Sequence, residues 1–256
     1  MFWNRKLKRR SELREKPAPD GWKAILTERA PLLSRVPAVD LDELFGHIQV
    51  FLSEKKFEGC QGFEITDEVR VTIAAQACLL LLHRDTDYFP ATETIMVYPD
   101  EFEVEVEEAE DDWIVTEYTE DRSGESWDYG PIVLSWRDVL ESARVDADGY
   151  NVVIHEFSHQ LDLENGEIDG VPKLPDPAAY AKWKENFTLA YEAHCDAVDR
   201  GSSTELDEYG SDSPHEFFSV VVEAFFETPQ SLQRLHPGVY NLLAEYFEQD
   251  PLTWSN

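Results

Sequence analysis

Apolar positions along this chain recur at two different periods, and the change of period divides it into three stretches. Leu41, Leu44, Phe45, Ile48, Phe51 and Leu52 fall three or four apart, one face of a helix that Asp40 is placed to cap and that is expected to run to about Phe57. Val71, Ala74, Ala75, Cys78, Leu79 and Leu82 repeat the same spacing and predict a buried helix over 67–83. Trp22 to Val36 is helical in pattern too, with Pro31 expected to kink or divide it. After Asp87 the period shortens. Residues 93–98, 102–106, 113–119 and 131–136 are short β-branched or aromatic runs between acidic, Gly or Pro breaks, and predict a small sheet.

Helical spacing then returns. Ser135 and Asp138 form a capping box for a helix to about Ala143, and Asp148 or Asn151 can begin another through Leu163. A long helix is expected from Pro177 to about Arg200, with two more over 214–227 and 237–249. Helices on both sides of one block of strands, without an internal repeat, predict an α+β fold.

Composition sharpens the picture. With 256 residues and 42% apolar side chains, the chain can bury one substantial core, so disorder is excluded. The 53 acidic residues against 22 basic ones give a net charge of −31, which repels nucleic acid and anionic lipid. Residues 1–16 run the other way, with seven Lys or Arg against Glu12 and Glu15. Residues 1–20 are therefore expected to be a flexible basic tail, either solvated or a docking arm, ahead of a single domain over 21–256. Fourteen acidic residues between Asp100 and Asp128 face only Arg122, and the alternation of Phe102 to Glu108 puts the carboxylates on one solvated strand face. No run approaches the length of a membrane span, and no apolar segment follows the basic start as in a secretory signal. Cys60, Cys78 and Cys195 are odd in number and widely spaced, which fits a reduced, cytoplasmic setting.

One segment carries chemistry. His155-Glu156-Phe157-Ser158-His159 is an H-E-x-x-H motif inside a helical pattern, flanked by Val152, Val153, Ile154 and Leu161. Residues four apart stack on one helix face, so both imidazoles can reach one Zn²⁺ through bonds of about 2.0–2.1 Å. Glu156 is then placed to act as general base on the attacking water. A catalytic zinc needs a third protein ligand. Asp162, three residues past His159, is a candidate for ligating the metal or orienting a histidine. The helix over 214–227 offers two more, Glu216 and Glu223, seven apart on one face of an apolar helix where lone carboxylates are costly. Ser213 and Pro214 also make Glu216 a capping-box residue, so spacing leaves Glu216 and Glu223 level as third ligand. His47, His83, His194, His215 and His236 lack paired spacing and read as structural or surface groups.

These segments resemble the Mlc titration factor A family of zinc-dependent peptidases (peptidase family M90). The matching residues are Val97-Tyr-Pro-Asp-Glu-Phe102, Gly130-Pro-Ile-Val-Leu-Ser-Trp136, His155 to Asp162, Ser213-Pro-His-Glu-Phe-Phe218, and Tyr240 through Pro251. The H-E-x-x-H motif is shared by many zincins; its combination with the Pro-x-Glu-Phe-Phe helix is far more specific. The resemblance implies a mostly helical zincin-like domain with a small sheet beside the active-site helix. It implies one Zn²⁺ held by His155, His159 and Glu216, with Glu156 as general base. It favours Glu216 over Glu223, which is left to hold a ligand in place, and it sets Tyr209, seven residues before Glu216, near the metal, where its phenol can donate to the developing oxyanion or occupy the open position on a resting zinc. The basic tail and the acidic stretch have no role that the resemblance supplies.

Two functions follow as expectations. The first is a metallopeptidase acting on peptide or protein, with aminopeptidase-like activity implied by the resemblance and Pro131 to Trp136 as the strand on which an extended peptide lies. The second is a regulatory module with a non-catalytic zinc site, because the family takes its name from binding a transcriptional repressor called Mlc. An intact Glu156 favours the first.

Overall fold

In the computed structural model, residues 2–110, 114–122, 124–126, 130–144 and 148–254 are described, with side chains from 5–101, 130–144 and 148–254. The expectation for the carboxylate face over 102–108 lies outside the described side chains. In chain order the helices begin with α1 (Phe2–Arg14), α2 (Trp22–Arg29), α3 (Leu41–Glu54) and α4 (Asp67–Leu79), with strand β1 (Lys56–Gly59) between the last two. Strands β2 (Thr94–Tyr98), β3 (Phe102–Glu110), β4 (Ile114–Arg122), β5 (Gly124–Ser126) and β6 (Ile132–Ser135) follow. The remaining helices are α5 (Trp136–Ser142), α6 (Val152–Asp162), α7 (Pro177–Asp199), α8 (Pro214–Glu227), α9 (Pro229–Leu235) and α10 (Pro237–Phe247). Short 3₁₀ turns cover Pro31–Arg35, Leu163–Asn165, Glu208–Ser211 and Pro251–Thr253. The protein is mostly helical α+β: the periodicity predicts the α+β pattern, and the resemblance implies the helical majority.

The main sheet has the order β1-β2-β6-β5, with β1, β2 and β6 parallel and β5 antiparallel to β6. Strands β3 and β4 form a separate antiparallel hairpin, pairing Phe102 with Arg122 through Glu110 with Ile114. Two expectations change here. Pro131 to Trp136 is not an available edge, because β6 is paired on both sides; the edge strand beside α6 is β5. The helix predicted to Phe57 ends at Glu54, and Lys56 starts a strand instead. The cause is Lys55, whose buried ammonium donates to Phe89 O at 2.6 Å and to Thr92 O, pulling the chain extended so that Lys56 N reaches Glu93 O at 2.9 Å. Pro31 does divide the first helical stretch, as expected.

Phe2–Arg14 is a helix packed against α3. Arg10 is only 5% exposed and makes a two-pronged pair with Glu54 at 2.8 and 2.7 Å, while also reaching Asp87 at 2.6 Å.

Helix α6 runs through the middle of the core, against α4, α5, α8, β5 and β6. Its Phe157 is fully buried between Phe51 and Phe89, at ring separations of 5.6 and 4.8 Å. Helix α8 is apolar on most sides, with Phe217, Phe218, Val221, Phe225 and Phe226 all buried. Polar side chains buried between two such helices are costly unless they are paired. Among the described residues, no helix is long and apolar enough to cross a membrane.

Candidate metal centre

Each polar group between α6 and α8 is set by a local feature of its helix. Asn151 rather than Asp148 caps α6, its side-chain oxygen accepting from Ile154 N at 3.0 Å. This start puts His155 and His159 one turn apart, their rings 4.9 Å between centroids and nearly perpendicular. Ser213 caps α8 by accepting from Glu216 N at 3.2 Å, with Pro214 in the first turn. The Glu216 carboxylate is turned to the histidines.

Glu216 Oε2 lies 3.0 Å from His155 Nε2 and 3.4 Å from His159 Nε2. The three ligand atoms all fall within 4.8 Å of one another. Donors bonded tetrahedrally at about 2.0–2.1 Å stand about 3.4 Å apart, so both measured spacings suit one small divalent cation. Two neutral imidazole nitrogens and a carboxylate are also the donor set of a catalytic zinc site.

Glu223 takes the opposite pole of His155. Its Oε1 accepts from Nδ1 at 2.7 Å, while its Oε2 accepts from Asn151 N at 2.5 Å. The alternatives left level by spacing are thus separated by which imidazole nitrogen each carboxylate meets. His159 Nδ1 is matched with Ser219 Oγ at 3.1 Å. Asp162 is not brought to either histidine. It faces the following loop, where its Oδ2 accepts from Gly170 N at 2.9 Å. Glu156 is 5% exposed and close enough for its charge to act on His155. Tyr209 is 47% exposed, yet its hydroxyl donates to Glu216 Oε1 at 3.2 Å and its ring stands 5.9 Å from that of His155.

The charges are strongly coupled. Burial opposes a proton on His155, but Glu223 and Glu216 outweigh it and push the imidazole's pKa well above the usual value. Burial likewise opposes ionisation of Glu216, yet hydrogen bonds from His155, His159 and His215 hold its pKa far below the usual carboxylate range. Burial lowers His159 and raises Glu223. Asp162 is pushed up to about 6 by burial, against the pull of the Gly170 N–H.

Some groups at the site escape the spacing argument. His215, read from sequence as structural, places Nε2 3.3 Å from Glu216 Oε1 and its ring 5.4 Å from that of His159. Its other nitrogen is fixed by Ser213 Oγ at 3.0 Å. Ser219, Glu223 and Glu227 continue the face begun by Glu216 at steps of three, four and four, a signal present in the sequence once one of them is known to point inward. Asn151, Gln76 and Glu227 form a buried cluster behind Glu223. The loop carrying Tyr209 is tied to α7, where His194 pairs with Asp207 O at 3.0 Å and Tyr191 donates to Ser211 O at 3.2 Å.

Comparison with known proteins bears on this centre. The sequence profile described as glucose-regulated metallo-peptidase M90 matches residues 3–248. The chain belongs to the peptidase M90 family. It is 40% identical over 245 residues to an uncharacterized protein of Synechocystis sp., covering 95% of this chain and 89% of that one. Mlc titration factor A of Salmonella agona is 32% identical over 224 residues, 86% of this chain and 83% of its own. Mlc titration factor A of Cronobacter sakazakii is 32% identical over 238 residues, 92% and 88% of the two chains. Membership in M90 makes the protein a member of a metallopeptidase family, and such a family implies a metal ion. The His155, His159 and Glu216 cluster is the group of described His, Cys, Asp and Glu residues that could hold one.

Proposed function

We propose that this M90 protein is a zinc-dependent peptidase, with His155, His159 and Glu216 as the metal ligands and Glu156 as the general base. The observation that carries this reading is the convergence of His155, His159 and Glu216, whose ligand atoms lie within 4.8 Å of one another, with Glu216 Oε2 3.0 and 3.4 Å from the two Nε2 atoms. Three protein ligands leave a fourth position for water or substrate, the mark of a catalytic site over a structural one. A Zn²⁺ held there supplies Lewis acidity for the scissile carbonyl and makes water a competent nucleophile near neutral pH.

The chain's own groups do the rest. Glu156 takes a proton from the attacking water and delivers it to the leaving amine. Tyr209, whose hydroxyl already reaches Glu216, donates to the oxygen on which negative charge develops. Glu223 and Ser219 hold the outer nitrogens of His155 and His159, keeping Nε2 of each directed at the cation. An extended peptide adds to β5, which is paired on one side only among the described strands and lies against α6.

The catalytic domain spans 21–256, with α1 packed on its α3, and the substrates are peptides or proteins, cleaved in an aminopeptidase-like manner. Unpaired Cys60, Cys78 and Cys195 suit work in the reducing cytoplasm. A second reading, binding of a transcriptional repressor with the zinc site silent, draws its support from the names of the Salmonella and Cronobacter relatives. Peptide hydrolysis by the parent chain separates the two, and Glu156→Gln then tests the base. The variant is expected to keep one zinc per chain and lose hydrolysis of unblocked peptides by at least about 100-fold. Full turnover in that variant would remove Glu156 from the mechanism, and equal rates on amine-blocked substrates would make the enzyme an endopeptidase.

A further inference from the structure

Behind the ligands lies a fully buried polar cluster that the reaction itself does not use. Asn151, Gln76, Glu223 and Glu227 come from the start of α6, from α4 and from α8, and none is more than 2% exposed. Asn151 is its hub. Its main-chain N–H donates to Glu223 Oε2 at 2.5 Å, and its carbonyl accepts from His155 N at 2.9 Å. Its side-chain amide donates to Gln76 Oε1 at 2.9 Å and to Glu227 Oε1 at 3.2 Å, while Oδ1 accepts from Ile154 N. Every polar group of this residue is engaged.

The orientation of that amide is determined from outside. Gln76 Nε2 donates to Thr72 O in its own helix at 3.3 Å, which leaves Gln76 Oε1 facing Asn151. Two acceptor oxygens, from Gln76 and Glu227, therefore meet one side of the Asn151 amide. Only its NH₂ group can sit opposite Gln76 Oε1, because the reversed amide would oppose oxygen to oxygen there and turn its NH₂ to the Ile154 N–H. The carbonyl oxygen is then left to cap α6. The same arrangement sets the direction of the main-chain N–H that grips Glu223. Burial pushes the Glu227 carboxyl up to about 8, so it adds no charge to the cluster at neutral pH.

We propose that Asn151, locked by Gln76 and Glu227, is the positioning residue of the metal centre: it fixes Glu223, and Glu223 fixes the tautomer and tilt of His155. This rests on the reading of His155 as a metal ligand. A histidine whose Nδ1–H is held by a carboxylate presents the Nε2 lone pair to the cation, and loss of such outer partners weakens metal binding.

The test measures zinc affinity of the full chain by chelator competition, with the absorption spectrum of the Co²⁺-loaded protein as a second readout. Glu227→Met removes the acceptor and is expected to weaken zinc binding about 10-fold or more and to alter the cobalt spectrum. Glu227→Gln keeps an acceptor oxygen and is expected to stay within about twofold of the parent. In a Glu223→Ala background, Glu227→Met should cost no further affinity, because the path through Glu223 is already cut. If Glu227→Met does not fold, Asn151→Ser retains the cap, drops both amide donors and carries the same expectation. Parent-like zinc affinity in Glu227→Met, or an equal loss in the Glu223→Ala background, overturns the proposal alone. A parent chain that takes up no zinc overturns the metal reading as well, so the two failures are told apart by the parent.

Discussion

Arg10→Ala tests whether the N-terminal helix is an integral part of this fold. The guanidinium meets both oxygens of Glu54, at 2.8 and 2.7 Å, together with an Asp87 carboxylate oxygen at 2.6 Å and the Asp87 carbonyl at 3.1 Å. It also stands 4.6 Å over the ring of Tyr88. Breaking a buried charge pair by removing one member costs about 3–5 kcal/mol, because the partner is left uncompensated. Here the Glu54 and Asp87 side chains are 20% and 37% exposed and can recover some water, which lowers the expectation to about 2–3 kcal/mol. Lys6 reaches the same Asp87 at 3.0 Å from a side chain that is 40% exposed, and its removal should cost less than about 1 kcal/mol. Urea unfolding of the two variants measures both. With a slope of about 3 kcal/mol/M, Arg10→Ala should lower the midpoint by about 0.7–1 M, and added salt should shrink the Lys6 effect far more than the Arg10 effect. A midpoint shift below about 0.2 M for Arg10→Ala would mean that α1 is not held by this contact and that the energetic argument is wrong.

Two further predictions concern groups around the candidate metal centre. The folded-state pKa of Glu227, about 8, lies above its ordinary value of 4.5 because burial disfavours the charge. The folded state thus holds a proton that the unfolded chain releases, so this group's contribution is full below pH 4.5 and is lost as pH rises towards 8. The slope is at most about 1.4 kcal/mol per pH unit. Denaturant unfolding of the parent and Glu227→Gln at several pH values across that window should show a shallower decline in the variant, and parallel curves would refute the assignment. Gly170 has a φ of +78°, donates to Asp162 Oδ2 and accepts from Trp183 Nε1, and a Cβ placed on it would collide with Pro214 O. Gly170→Ala should destabilise by about 2–4 kcal/mol in the same assay, and a loss under about 0.5 kcal/mol would show that the loop does not pack against the start of α8 as described.

The local levels of this protein were written in its chain. Apolar residues three and four apart located α3, α4, α6, α7, α8 and α10 because a helix can bury only one such face. Pro31, Ser213 and Pro214 are residues that start or stop helices by their own stereochemistry, and they marked boundaries correctly, while the start of α6 was left between Asp148 and Asn151. The H-E-x-x-H spacing was likewise legible, since one helical turn brings His155 and His159 together without help from the rest of the fold. What required the tertiary structure were contacts between segments far apart in sequence. Strand β1 exists because Lys55 is drawn to Phe89 and Thr92, and β5 rather than β6 is the edge because pairing partners decide which strand is outermost. The roles of Glu216 and Glu223 turn on which nitrogen of His155 each one faces, a matter of how α8 crosses α6. Asp162 missed the histidines, and His215 joined the site, for the same reason: helical periodicity specifies a face, while only packing specifies what that face meets.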